Sequence, residues 1–181
     1  MQATEQEPVV PLDEADIASA ESEYVLNIAG VYQDPLTRDW AAHVCEQAIQ
    51  IAGAERVQTS WFEVPRLGEP ETLIAAVQAA LLADVIVVSV HAADELPLDL
   101  YVWIDVWLPR RSSRMGALVA LIGASGKPTP QAVRTQEYLQ AVARRAELDF
   151  MPHECRVPDE MSFASIPDDG PSHPYNRGTA R

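Results

Sequence analysis

Apolar runs and helically spaced apolar residues alternate along the middle of this chain. Five short stretches rich in β-branched and other apolar residues predict strands at 24–32, 56–64, 84–92, 116–125 and 150–157. Four stretches with apolar residues at helical spacing predict helices at 35–52, 70–83, 97–108 and 129–148. Local signals support these limits, because Asp34 and Pro35 open the first helix, Gly53 ends it and Pro109 ends the third.

The alternation of five strands with four helices predicts the topology of the sheet. Short connections imply a parallel sheet with helices on both faces, an α/β three-layer sandwich. The nearly continuous apolar strands 84–92 and 116–122 belong in the middle of the sheet, whereas the alternating pattern of 56–64 suits an edge. Pro152 lacks an amide hydrogen and favours an edge position for the last strand. The predicted strand order is 2-1-3-4-5.

The two ends of the chain differ in composition from the domain predicted at 23–158. Residues 1–22 form an acidic N-terminal extension, in which Val9, Val10, Leu12 and Ile17 would allow part of the segment to lie against the domain. Residues 159–181 are rich in Pro, Gly and Ser and are predicted to be disordered unless a partner holds them. The formal charge is −14. Because this charge repels phosphate, we expect no binding to nucleic acid or to an anionic membrane. Without a visible targeting signal or membrane span, we expect a cytoplasmic protein.

Three segments of the predicted domain resemble a known family. In order they are "ADVIVVSVHAADELPLDLYVWIDVWLPRR", "GALVALIGASG" and a long helix containing "RTQEYLQAVARRAELDF". This order is similar to that of the NAD(P)H-dependent FMN reductases of the flavodoxin superfamily, and the best match is the third strand with the Trp-containing helix after it. The resemblance spans about 24–158. It implies a flavodoxin-like fold and a flavin-binding dimer or tetramer that passes hydride from a nicotinamide nucleotide to FMN.

The loops that the resemblance assigns to the flavin depart from the family's pattern. The phosphate loop reads "AGVYQDPLTRDW". Gly30, Thr37 and Arg38 are candidate remnants of the family's phosphate-binding residues, but Asp34 and Asp39 place carboxylates beside the helix N-terminus. The third loop carries His91 and Asp94 where the family has a Pro-Glu-Tyr-Asn-like motif. The fourth loop, "GASGKPT", is also explained as a tight turn before the next helix. The candidate FMN contacts are Thr37, Arg38, His91, Asp94, Ser125, Gly126 and Lys127.

The helix predicted at 97–108 is apolar on nearly all sides. Such a helix needs two packing partners, which its own sheet and another subunit would supply. Burial of this helix beneath the N-terminal segment gives the same pattern. Three arginines follow the helix, and they either complement its C-terminal dipole or hold an acidic tail or a neighbouring subunit. The candidate interface residues are Tyr101, Trp103, Trp107, Arg110, Arg111 and Arg114.

Other chemistry has weaker support in the sequence. The histidines and the two cysteines show no metal-ligand spacing, and Cys45 and Cys155 are expected to be buried free thiols. His91, Asp94 and Ser125 can be drawn as a hydrolytic triad, but no spacing supports that geometry. We therefore assign no catalytic residue and no metal.

Two functional hypotheses follow from these patterns. In the first, the flavodoxin-like domain has lost flavin chemistry, holds no cofactor and acts as an oligomerising module, a dimer or tetramer, or binds another protein. In the second, the chain is a divergent FMN-dependent NAD(P)H oxidoreductase that uses Thr37, Arg38 and Ser125 for FMN, with His91 or Asp94 near the ring.

Overall fold

The computed structural model describes residues 24–112, 114–124 and 129–157. The predicted N-terminal extension and C-terminal tail lie outside these residues. The five strands are β1 (Leu26–Tyr32), β2 (Val57–Glu63), β3 (Val85–His91), β4 (Ala117–Ala124) and β5 (Asp149–Arg156). The four helices are α1 (Pro35–Ala52), α2 (Pro70–Leu82), α3 (Leu98–Trp107) and α4 (Pro130–Arg145). Short 3-10 turns lie at Ala54–Arg56, Val64–Gly68 and Leu108–Arg110.

The strands form one parallel sheet in the order β2-β1-β3-β4-β5. This confirms the predicted order and the edge positions of β2 and β5. The central strands β3 and β4 are almost wholly buried, as their continuous apolar sequences require. The chain has a flavodoxin-like fold.

The two faces of the sheet carry different numbers of helices. On one face, α2, α3 and α4 cover a large core that contains alternate residues of β1, β3 and β4. On the other face, α1 alone packs on the sheet, and its Ala41 and Cys45 contact a smaller core with Ile28, Val87 and Leu121. One helix about 10 Å wide cannot cover five strands spaced about 4.8 Å apart, so this second face is only partly covered by the described residues.

A buried carboxylate joins the strands at their amino ends. Asp84, which precedes β3, accepts hydrogen bonds from the Asn27 amide of β1 at 2.9 Å and from Arg114 Nη2 at 2.7 Å. Burial favours the neutral acid, but the Asn27 amide, the Tyr24 hydroxyl and Arg114 outweigh it, and the pKa of Asp84 lies below its ordinary value. Asp84 therefore connects β1 to the loop that precedes β4.

No helix in the described part of the chain is long and apolar enough to span a membrane.

Candidate functional site

The candidate site lies where β1 and β3 end side by side. In a parallel sheet of this order, the helices that follow these two strands leave in opposite directions along the sheet, which opens a crevice at their carboxyl ends. The crevice borders the start of α1, the residues after β3 and the end of β4. These are the loops in which the sequence places the candidate FMN contacts.

The first turn of α1 is closed by its own side chains. Asp34 is the N-cap, and its Oδ1 accepts the Thr37 backbone amide at 2.9 Å. The Thr37 hydroxyl accepts the amides of Gln33 and Asp34 at 2.9 and 2.8 Å, which completes a capping box. The amides of Gln33, Asp34 and Thr37 therefore already have partners within the chain, and Pro35 has no amide hydrogen to offer a phosphate.

His91 ends β3 and pairs with the same carboxylate. Its Nε2 lies 2.6 Å from Asp34 Oδ2, and its backbone amide donates to Gln33 Oε1 at 3.1 Å. The Trp40 ring lies edge-on to the imidazole, with 5.7 Å between ring centroids. At Gly123, a Cβ atom would lie 2.7 Å from the Trp40 ring and 2.9 Å from His91 Nδ1, so only glycine allows this approach.

The Asp34 carboxylate is held in its charged form. Partial burial raises the pKa of a carboxyl group, but the Thr37 amide and the His91 side chain have the larger combined effect, and the pKa of Asp34 lies below its ordinary value. The helix N-terminus at this site therefore faces an ionised carboxylate that is paired with His91. A phosphate dianion placed here would meet that charge and would find fewer free amide donors.

The structure separates the candidate FMN contacts into different environments. Thr37 is fully buried, so the assignment of its side chain to FMN is wrong. Arg38 is exposed, and its guanidinium lies 5.7 Å from the centre of the Tyr32 ring. Asp94 faces α4, where its Oδ1 accepts from Arg134 Nη1 at 3.0 Å, and it does not pair with His91. Ser125, Gly126 and Lys127 lie outside the described residues.

Gly30 also differs from the role that the sequence gave it. It lies inside β1, as the strand predicted at 24–32 implies, and a Cβ atom there would be 1.9 Å from the Trp61 ring of β2. Gly30 therefore makes room for an aromatic side chain on the sheet face. This is a packing role, and it accounts for the glycine without a phosphate.

Two open concavities lie at the carboxyl ends of the strands. One has a volume of about 230 Å³ and lies at the ends of β3 and β4, between His91, Gly123 and Thr129. The other has a volume of about 350 Å³ and lies at the ends of β1 and β2, with Tyr32, Phe62 and Arg66 in its lining. The described residues contain no cluster of three side chains able to hold a metal ion.

The tryptophans of α3 lie within the core of the single chain. Trp103 is 1% exposed and Trp107 is 0% exposed, with their ring centroids 5.7 Å apart. These two side chains present no surface to a partner, which corrects their assignment as interface residues. Tyr101 is partly buried and packs edge-on against Tyr138 of α4. The exposed apolar residues of α3 are Leu98 and Val102.

Two of the three predicted interface arginines have partners inside the chain. Arg111 donates to the Ala80 and Ala83 carbonyl oxygens at 2.6 and 2.9 Å, so it caps α2 rather than its own helix. Arg114 pairs with Asp84. Arg110 is exposed. These contacts explain Arg111 and Arg114 without a tail or a neighbouring subunit, and the interface as a whole stays a prediction.

Comparison with known proteins gives structural similarity at low sequence identity. No protein-family profile and no curated protein matches the chain. Among solved structures, the Trp repressor binding protein from Bacillus subtilis aligns with a TM-score of 0.49 at 9% identity, over 72% of this chain and 85% of that one. The two-electron reduced flavodoxin of Megasphaera elsdenii aligns with a TM-score of 0.44 at 18% identity, over 80% of this chain and 90% of that one. The fold assignment rests on the strand order of the sheet itself.

The sequence did not reveal every contact around His91. The Asp34 and His91 pair spans 57 residues of sequence, and Gln33 lies at a similar distance along the chain. Trp40, the last residue of the stretch that the resemblance assigns to the FMN phosphate, lies edge-on to the His91 ring. The only sequence signal for the Asp34 and His91 contact was the predicted strand order. Strands one and three are neighbours in that order, so the residues at their carboxyl ends must lie close together.

Proposed function

We propose that this chain is a flavodoxin-like domain that works without FMN and acts by binding another protein molecule, first of all a second copy of itself. The observation that carries the first part is the Asp34 carboxylate, which occupies the first turn of α1 and pairs with His91. A domain of this fold that held FMN by its phosphate would need those amides free and that charge absent.

The surface of α3 supports the second part of the proposal. With Trp103 and Trp107 turned into the core, the helix still leaves Leu98 74% exposed and Val102 40% exposed. Apolar side chains on the outer side of a packed helix are the kind of surface that a subunit contact removes from water. A different protein would cover the same side chains, and a second copy is the partner that is tested first.

The FMN part of the proposal is tested by adding FMN to the purified protein, removing free flavin by desalting and recording the visible absorption of the protein fraction. We expect no retained flavin. The matched variant is Asp34→Ser, which keeps a capping oxygen and removes the charge. If the carboxylate is what excludes phosphate, flavin or inorganic phosphate binds more tightly to this variant than to the wild type.

Flavin binding by the wild-type protein would reverse the conclusion that the domain works without FMN. Flavin retained by the wild-type protein, and weakened by Arg38→Ala, would support the FMN-dependent oxidoreductase and justify an assay of hydride transfer from a nicotinamide nucleotide. In that case the open concavity beside His91 and Gly123 is the place to look for the ring.

The assembly part of the proposal predicts a specific effect of Val102→Glu. Burying an unpaired carboxylate costs more than about 1.4 kcal/mol, the free energy that corresponds to a tenfold change in a dissociation constant. We therefore expect the dissociation constant of the self-associated protein to rise by at least about tenfold. Sedimentation equilibrium over a range of concentrations measures it. The control is Val133→Glu on α4, where the wild-type side chain is similarly exposed, at 47% against 40%. A wild-type protein that is monomeric at every concentration would exclude self-association.

A further inference from the structure

An open groove lies beside α1 on the sheet face that this helix covers alone. Its floor is formed by Val119 and Leu121 of β4 and by Met151 and Cys155 of β5, and Trp40 begins the wall that α1 provides. The groove has a volume of about 670 Å³. Met151 is 48% exposed although it lies on a sheet face. Parallel sheets are normally covered on both faces, so this floor calls for a covering segment.

The chain itself leaves the sheet at the end of this groove. Cys155 lines the groove, and β5 ends one residue later at Arg156. Residues 158–181 follow in the sequence. The eight residues of β5 span about 26 Å, and a segment of this length extends to about 80 Å, so it reaches back along the whole groove.

The composition of the C-terminal segment suits the groove. Three apolar residues, Met161, Phe163 and Ile166, come early in the segment, within a few residues of the end of β5. Four prolines within residues 158–181 disfavour a long helix and favour an extended course. Such a course fits a groove that is bounded on one side by α1.

The other possible occupants fit less well. Residues 1–23 contain seven carboxylates and no Lys or Arg, whereas residues 158–181 contain four carboxylates and two arginines. Asp39 and Glu154 at the groove therefore repel the N-terminal segment more strongly than the C-terminal one. That segment also joins the domain at β1, with β3 between it and the groove. A stable contact with a second copy buries about 800 Å² on each partner. Because α1 lies beside the groove, the second copy would have to fit around this helix to reach the floor.

We infer that residues 158–181 fold back over β4 and β5 and place Met161, Phe163 and Ile166 in this groove. The C-terminal segment is then an intramolecular cover for the open half of the sheet. The inference does not depend on whether the domain binds FMN.

The test is the rate at which iodoacetamide alkylates Cys155 in the full chain, followed residue by residue with mass spectrometry. Both cysteines are free thiols, and the more deeply buried Cys45 reports whether the domain stays folded. We expect Phe163→Asp to raise the Cys155 rate at least about tenfold, because burying an aromatic side chain is worth more than one tenfold step. Tyr175→Asp adds the same charge later in the segment and is expected to leave the rate unchanged.

Each other result overturns the inference. Rapid alkylation of Cys155 in both the wild type and Phe163→Asp would show an open groove. A rate that falls as protein concentration rises would show that a second copy covers it. A slow rate in both proteins at every concentration would mean that another segment is the cover.

A second variant keeps the inference testable if Phe163→Asp exposes Cys45 and is therefore unfolded. In a Cys45→Ala background, Phe163→Cys is expected to form an intramolecular disulfide with Cys155 under mild oxidation. Failure to form this bond in a folded monomer would contradict the placement.

Discussion

Replacing Trp103 with alanine is expected to lower the free energy of unfolding by about 3–5 kcal/mol. The side chain is 1% exposed and packs against Trp107 beneath the sheet, so its removal leaves a large cavity in the main core. A loss of this size is a large fraction of the stability of an ordinary domain. Urea denaturation followed by far-UV circular dichroism measures it.

Trp103→Phe is the matched control for this prediction. Among the described residues, the Trp103 Nε1 donor has no hydrogen-bond partner. Phenylalanine removes that buried donor while it keeps much of the ring, so we expect a loss of no more than about 1–2 kcal/mol. If Trp103→Ala instead kept the wild-type stability and lowered only the sedimenting mass, Trp103 would be an interface residue after all.

Asp84→Ala is expected to lower the free energy of unfolding by about 2–4 kcal/mol at neutral pH. The substitution leaves the Asn27 amide and Arg114 without their common acceptor at a position where Asp84 is 7% exposed. Asp94→Ala is the control, because its ion pair with Arg134 is exposed at 66% and 64% and is worth about 0.5 kcal/mol or less. Equal losses in the two variants would contradict the structural role of Asp84.

The effect of Asp84 also has a defined pH dependence. Because folding lowers the pKa of this carboxyl below its ordinary value of 3.8, the ionised group stabilises the fold at pH values above 3.8. That contribution is lost as the pH falls through the pKa of the folded state. The difference in stability between the wild type and Asp84→Ala is therefore expected to be constant near neutral pH and to shrink in acid.

Local signals in the sequence were sufficient for the secondary structure and the strand order. The cap at Asp34, the proline after it and Gly53 at the other end lie within or next to α1, and the structure begins and ends the helix at the predicted residues. The order of the strands followed from apolar content, because a strand buried on both faces has few polar residues, and Ser89 of β3 satisfies its hydroxyl by donating to the Thr37 carbonyl oxygen. Both kinds of signal are carried by residues close together in sequence.

The candidate site was predicted less well because its contacts are distant in sequence. His91 was considered with Asp94, three residues away, but it pairs with Asp34, and Asp94 pairs with Arg134. Arg111 caps α2, although the sequence placed it at the end of α3. For the same reason, the apolar periodicity of α3 did not distinguish the core of one chain from a contact between two chains.

Pro152 limits the ways in which copies of this domain can associate. The amide of Asp149 donates to the carbonyl of Gly116, just before β4, and the amide of Val157 donates to the carbonyl of Ala124 in β4. Odd-numbered residues of β5 therefore direct their amides inward, and Pro152 directs its nitrogen to the outer edge. A sixth strand that paired with β5 at this edge would find no amide donor at Pro152, in the middle of the row of backbone hydrogen bonds. The sheet is thereby protected at β5 from edge-to-edge aggregation, and an ordered assembly at this side must use side chains rather than a continuous backbone ladder.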